Sequence, residues 1–116
     1  MPGRRSRKSR AGVLASAPLF RALGDEVRLR LVSRLSDQGP ASITRLASGL
    51  PITRQAVTKH LRVMQRSGLV RSSRHGRETI WQLDQRGLEA VRGYLDSISK
   101  QWDDALGRLR QLVEND

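Results

Sequence analysis

The sequence predicts a mostly α-helical domain of about five helices, in which a helix-turn-helix is followed by a two-stranded β-hairpin wing. Three observations carry the prediction. Two short amphipathic helices flank a glycine–proline break between Ala41 and Leu69, two alternating strands flank a glycine turn after them, and a long proline-free segment with a seven-residue apolar repeat closes the chain.

At 116 residues the chain has room for one domain with a modest core. Within it we distinguish a basic arm (1–13), a winged helix-turn-helix core (14–84) and a C-terminal dimerisation helix (85–116). The arm is rich in Arg, Ser and Gly with little to bury, so it reads as disordered. It is either a solvated tail or a strap along a phosphate backbone. Pro18 opens a short helix with Leu19, Phe20 and Leu23 on one side, proline being tolerated at a first helical position, and Gly24 ends it. Asp25 then caps a helix to about Ser36, whose buried stripe is Val27, Leu31, Val32 and Leu35, with Arg28, Arg30 and Arg34 elsewhere. Asp37 to Pro40 turns the chain.

The helix-turn-helix follows. Ser42 caps a helix in which Ile43, Leu46, Ala47 and Leu50 form one apolar stripe, and Gly49, Leu50 and Pro51 interrupt it. Thr53 caps the second helix, which buries Val57, Leu61 and Met64 and ends at Ser67 and Gly68. Its other side carries Arg54, Gln55, Thr58, Lys59, Arg62 and Arg66. Such a helix, apolar below and rich in Arg, Gln, Thr and Lys above, is chemically suited to a DNA major groove, where these side chains bind phosphates and base edges. A solvated basic face would look the same in isolation. The continuation distinguishes the two, because Leu69–Arg74 and Thr79–Leu83 read as strands around a His75, Gly76, Arg77 turn, with Thr79, Trp81 and Leu83 alternating. Arg71, Arg74 and Arg77 make this hairpin a basic ribbon beside the helix.

From Asp84, a candidate cap, to Glu114 apolar residues recur as Leu88, Val91, Leu95, Ile98, Trp102, Ala105, Leu109 and Leu112, a seven-residue repeat suited to lengthwise packing on another helix. Four heptads span about 42 Å, longer than a small domain is wide, so part of the seam is expected to meet a second subunit. Gly93 and Gly107 mark where this helix would break if it breaks.

Charge points to the same partner. The net charge is +11, with +5 in residues 1–10, +1 in 11–40, +7 in 41–81 and −2 in 82–116. A positive field concentrated on the helix-turn-helix and wing is an electrostatic footprint of nucleic-acid binding. No apolar run of membrane-spanning length exists, and the basic start has no apolar core of a signal peptide, so the expected location is cytoplasmic and nucleoid-associated. The chain has no cysteine, which excludes disulfides and thiolate metal sites. The two histidines, His60 and His75, have no ligand partner at helical spacing, so we expect no metal and no cofactor within one chain, a histidine site shared by two subunits being the alternative. No nucleophile with a base, phosphate-binding glycine loop or paired carboxylates in an apolar setting is visible, so no enzyme is expected; Asp103 and Asp104 are solvated neighbours on a helix. With one Phe, one Tyr and two Trp the stacking platforms of single-strand binders are missing. A chromosome-associated basic protein without sequence preference is the alternative that charge alone allows.

The order of elements resembles the ArsR-type winged-helix transcriptional repressors over nearly everything from Pro18 to Val113. LFRALGDEVRLRLVSRL is similar to that family's second-helix signature, with Arg28 at its characteristic arginine; ITRQAVTKHLRVMQRSGLV is similar to its recognition helix, with Thr53, Thr58, His60, Leu61 and Gly68 at typical positions. RHGRETIWQLD resembles its wing, and GYLDSISKQWDDALGRLRQLVE resembles the last helix of members without metal sites. The resemblance implies a homodimer joined through its first and last helices, repressing a promoter that often includes its own. Metal-sensing members carry paired cysteines before the recognition helix, where this chain reads ITRLASG, or Asp, His and Glu on the last helix, which here has no histidine. The effector therefore stays open.

The expected DNA-binding residues are Thr53 with its adjacent amides on phosphate, Arg54, Gln55, Thr58 and Lys59 on base edges, and Arg62 on the backbone. Arg74, His75 and Arg77 border the minor groove. His60 lies between the buried and DNA faces in a structural or phosphate-contacting role. The expected dimer interface is Leu19, Phe20, Leu95, Ile98, Trp102, Ala105 and Leu109, on a pseudo-palindromic operator whose half-sites lie about 10–10.5 base pairs, or a multiple, apart.

Overall fold

A computed structural model describes residues 16–115. The expectations for the arm 1–13 lie outside the described residues. The chain runs through α1 (residues 16–23), α2 (Glu26–Gln38), β1 (Ala41–Ser42), α3 (Ile43–Ala47), α4 (Arg54–Ser67), β2 (Val70–His75), β3 (Glu78–Leu83) and α5 (Gln85–Glu114). It is the expected mostly helical winged helix-turn-helix, with five helices and three strands among the described residues.

Local sequence explains most boundaries. Asp25 caps α2 by accepting from the Arg28 amide at 3.0 Å, Ser42 caps α3 and Thr53 caps α4 by accepting from the Ala56 amide at 3.1 Å. Gly68 at φ 89 ends α4 in the left-handed conformation that a side chain would resist. The turn between β2 and β3 is only Gly76 and Arg77, with Gly76 at φ 65, as a two-residue hairpin with glycine at its first central position requires. His75 therefore belongs to β2, where it pairs with Glu78.

Four expectations are corrected. Ser16 and Ala17 are already helical, so Pro18 does not open α1; Ser16, Leu19 and Ala22, three residues apart, are all buried and hold that turn against the core. The second helix runs two residues past Ser36, until Gly39 at φ 76 caps it through a 3.0 Å bond to the Leu35 carbonyl. The first helix of the helix-turn-helix stops at Ala47, and Leu50 packs on the core from the turn. Finally, the wing is a three-stranded antiparallel sheet in the order β1-β3-β2, because Ala41 and Ser42 pair with Trp81 and Ile80. A two-residue strand is too short for alternation to show.

The core lies under α4. Leu31 and Leu35 of α2, Leu46 of α3, Val57, Leu61 and Met64 of α4, Val70 and Trp81 of the sheet, and Leu19 and Ala22 of α1 close around one another. Each fully buried leucine there contributes about 1.5–3 kcal/mol. α5 is continuous through Gly93 and Gly107, and its 30 residues extend about 45 Å. Only its beginning touches the domain: Gly87 is buried, Val91 packs on the core, and the Tyr94 ring meets Phe20 edge-on with centroids 5.2 Å apart. From Ser99 to Asn115 every residue is exposed.

Candidate nucleic-acid interface

α4 presents its polar face because its apolar face is committed. Val57, Leu61 and Met64 are fully buried, so the residues about half a turn away, Gln55, Lys59, Arg62 and Arg66, centre on the outward side, and all four are exposed. Arg54 and Thr53 are also exposed at the helix start. α4 contains no acidic residue, and its first-turn amides beyond the capped one have no partner within the helix. Together they form a cationic ridge whose leading end suits a phosphate. Arg66 was absent from the expected site residues, although its spacing of four from Arg62 and seven from Lys59 is a visible signal.

Two of the expected contacts are turned off this ridge. Thr58 is half-buried on its flank, and its hydroxyl donates to the Arg54 carbonyl at 2.9 Å. His60 faces the other flank, toward α2, with Nδ1 3.3 Å from an Arg28 guanidinium nitrogen and 3.7 Å from Asp25 Oδ2. Arg28 also donates from Nε to the Ala22 carbonyl at 2.6 Å and from Nη2 to the Arg21 carbonyl at 3.5 Å. The cluster thus ties the end of α1, the start of α2 and the middle of α4. Within it the Arg28 amide, aided by the Arg28 and His60 charges, holds the Asp25 carboxyl below its usual value of 3.8 against a partial opposing effect of burial. Arg34 plays the matching part on the other side of α2, donating to the Leu46 carbonyl at 2.8 Å and to that of Ser48, so that it binds the carbonyls at the end of α3. Sequence periodicity places Arg28 and Arg34 only off the apolar stripe; their partners lie 6 to 32 residues away.

The wing divides its charges between two faces. Val70, Ser72 and Arg74 alternate onto the face that bears buried Trp81, and Ser72 accepts from the Gln65 side chain of α4 at 3.1 Å. Arg74 is therefore on the recognition-helix side of the ribbon. His75 is on the opposite face, where its Nε2 is 3.1 Å from Ser73 Oγ and it lines a shallow recess with Pro40, Ile80 and Gln82. Arg77 stands at the exposed tip beside Glu78, the one acid between residues 41 and 81. The structure thus places Arg74 on the α4 side of the ribbon, leaves Arg77 at its tip, and turns His75 to the opposite face.

The expected interface residues also separate. Leu19 is 4 % exposed and belongs to the core of its own chain, and Phe20 is partly covered by Tyr94. Leu95, Trp102 and Leu109 stand open at 50, 65 and 57 %, in line with Ile98 and Ala105. Leu106 and Val113, which the seven-residue count passes over, widen the stripe.

A helix-turn-helix domain family matches residues 23–73. The HTH-type transcriptional regulator Rv2034 of Mycobacterium tuberculosis is 37 % identical over 97 residues, covering 84 % of this chain and 87 % of that protein. The HTH-type transcriptional repressor SmtB of the same species is 28 % identical over 79 % of this chain and 66 % of its own. Among solved structures, an ArsR-like transcriptional regulator from Rhodococcus sp. RHA1 superposes with a TM-score of 0.71 at 34 % identity, covering 85 % of this chain and 92 % of that one. The chain belongs to the ArsR-type helix-turn-helix transcriptional regulators, which are sequence-specific DNA-binding proteins. No helix among the described residues is long and apolar enough to cross a membrane.

Proposed function

We propose that the protein is a homodimeric repressor that binds a pseudo-palindromic operator in double-stranded DNA. Each α4 enters a major groove with Gln55, Lys59 and Arg54 toward base edges and Arg62 and Arg66 toward phosphates, while Arg74 and Arg77 of the wing hold the adjoining backbone or minor groove. The observation that carries the dimer is the apolar stripe of α5, because a row of exposed Leu95, Trp102, Leu106, Leu109, Leu112 and Val113 is a face that a monomer leaves in water. A second copy of the same stripe covers it by twofold symmetry. The repressor name of a relative supports the direction of regulation.

The protein acts in the cytoplasm without catalytic turnover. With no cysteine in the chain and no histidine on α5, its release from DNA does not run through the family's usual metal sites. The test is footprinting on the DNA upstream of its own gene, with sedimentation in parallel. A protected palindrome bound by two chains is the expected result. Uniform coating of any duplex, undiminished by removal of the palindrome, would support instead a chromosome-associated protein without sequence preference.

A further inference from the structure

The start of α5 meets the end of α4 backbone against backbone. Gly87 is buried between two exposed neighbours, Arg86 and Leu88. A Cβ built on it would overlap the Gly68 carbonyl oxygen and lie 2.9 Å from the Gly68 carbonyl carbon and 3.2 Å from Leu69 Cα. These are main-chain atoms of the α4 exit, which cannot swing aside as a flexible side chain does. A Cβ on Gly93 or Gly107, the other glycines of α5, would meet nothing within 4 Å. Of the three glycines of α5, only Gly87 has a steric reason to be glycine.

One main-chain hydrogen bond crosses the same joint, from the Asp84 amide at the start of α5 to the Leu69 carbonyl at 2.9 Å, while the Gly68 and Leu69 amides turn back to the Gln65 and Met64 carbonyls at 3.1 and 2.9 Å and fix the end of α4. A helix seated on backbone in this way cannot rotate or slide without moving the end of α4 with it.

We propose that Gly87 is a positioning residue that sets the angle between α5 and the recognition helix, and through it the half-site spacing the dimer accepts. The proposal rests on the dimer reading above. Its size follows from helix geometry. Relieving the overlap by about 1 Å at Gly87, with the Val91 contact about 6 Å further along as pivot, swings Trp102 by about 3 Å. Repeated in both protomers of a twofold dimer, a displacement of this size, comparable with the roughly 3.4 Å of one base step along a strand, changes the separation and tilt of the two recognition helices and with them the preferred spacing.

The test compares full-length wild type, Gly87→Ala and Gly93→Ala on palindromes whose half-site separation is stepped by single base pairs. Wild type and Gly93→Ala should share one optimum, whereas Gly87→Ala should lose about tenfold or more at that spacing and move its optimum by one step. Since the chain lacks cysteine, an Arg62→Cys spin label on each background reads the distance between the two recognition helices without DNA, and Gly87→Ala should shift it by at least about 2 Å, a scale set by the same lever. If Gly87→Ala does not fold, Val91→Ala decides, because it loosens the pivot contact without adding an atom and should broaden the label distances. A folded Gly87→Ala with unchanged optimum and distance, or an unbroadened Val91→Ala, overturns the proposal. A monomeric wild type would instead overturn the dimer reading.

Discussion

Replacing Trp102 by Asp tests the α5 stripe most directly. The side chain is 65 % exposed in the single chain, and a tryptophan has about 250 Å² to bury, so pairing can cover at most about 160 Å² of it. At about 25 cal/mol per Å² that is about 4 kcal/mol per protomer as an upper bound, before the ordering costs of association are subtracted. Even half of it changes the dissociation constant by more than a decade, and a carboxylate left unpaired in an apolar contact adds several kcal/mol against the dimer. The dimer dissociation constant is therefore expected to rise by about three decades or more. The fold should survive, because residues 99–115 are exposed and the core closes without them. Sedimentation across a concentration series and far-ultraviolet circular dichroism measure the two effects separately. A variant that stays dimeric at low micromolar concentration and binds operator like the parent would refute the reasoning, as would one that loses the helices of the core.

Three further outcomes are expected. Operator affinity should fall by about three to five decades between 50 and 200 mM salt if the dimer neutralises six to ten phosphates, and Arg77→Ala should flatten that slope on operator and random DNA alike; a salt-independent parent would contradict counterion release. Gln55→Ala should narrow the gap between operator and random DNA by about 1–3 kcal/mol, whereas Thr58→Ala, whose hydroxyl is spent on the Arg54 carbonyl, should change it less; anisotropy titrations that rank them in the reverse order would move base reading to the helix flank. Asp25→Ala should cost about 1 kcal/mol at neutral pH through the lost cap. Because the folded-state carboxyl titrates below 3.8, its contribution is present above that value and disappears as pH falls through the lowered one, so chemical melts of parent and variant should converge in acid. A stability difference that stays constant to the lowest pH would separate Asp25 from the acid response.

The sequence alone determined what depends on neighbours within a turn or two. Thr53 and Gly68 bracket α4 because a capping hydroxyl and a left-handed exit are local requirements, and Val57, Leu61 and Met64 orient its polar face whatever else the chain does. The hairpin and the α5 repeat were legible for the same reason. Only the tertiary structure decided what depends on residues far apart in the chain. β1 exists because Trp81 and Ile80 pair with Ala41 and Ser42 across 38 to 40 residues, and packing rather than propensity keeps α1 helical ahead of Pro18. His60 turns from the DNA ridge because Arg28 and Asp25 wait beside it, and His75 parts from Arg74 because successive strand residues face opposite ways once β2 has its register. Gly87 stands out less in the sequence than Gly93 and Gly107, which fall within the seven-residue repeat. Its meaning appears only when the Gly68 carbonyl arrives against it, since excluded volume between distant backbones leaves no periodic trace in the residues that share it.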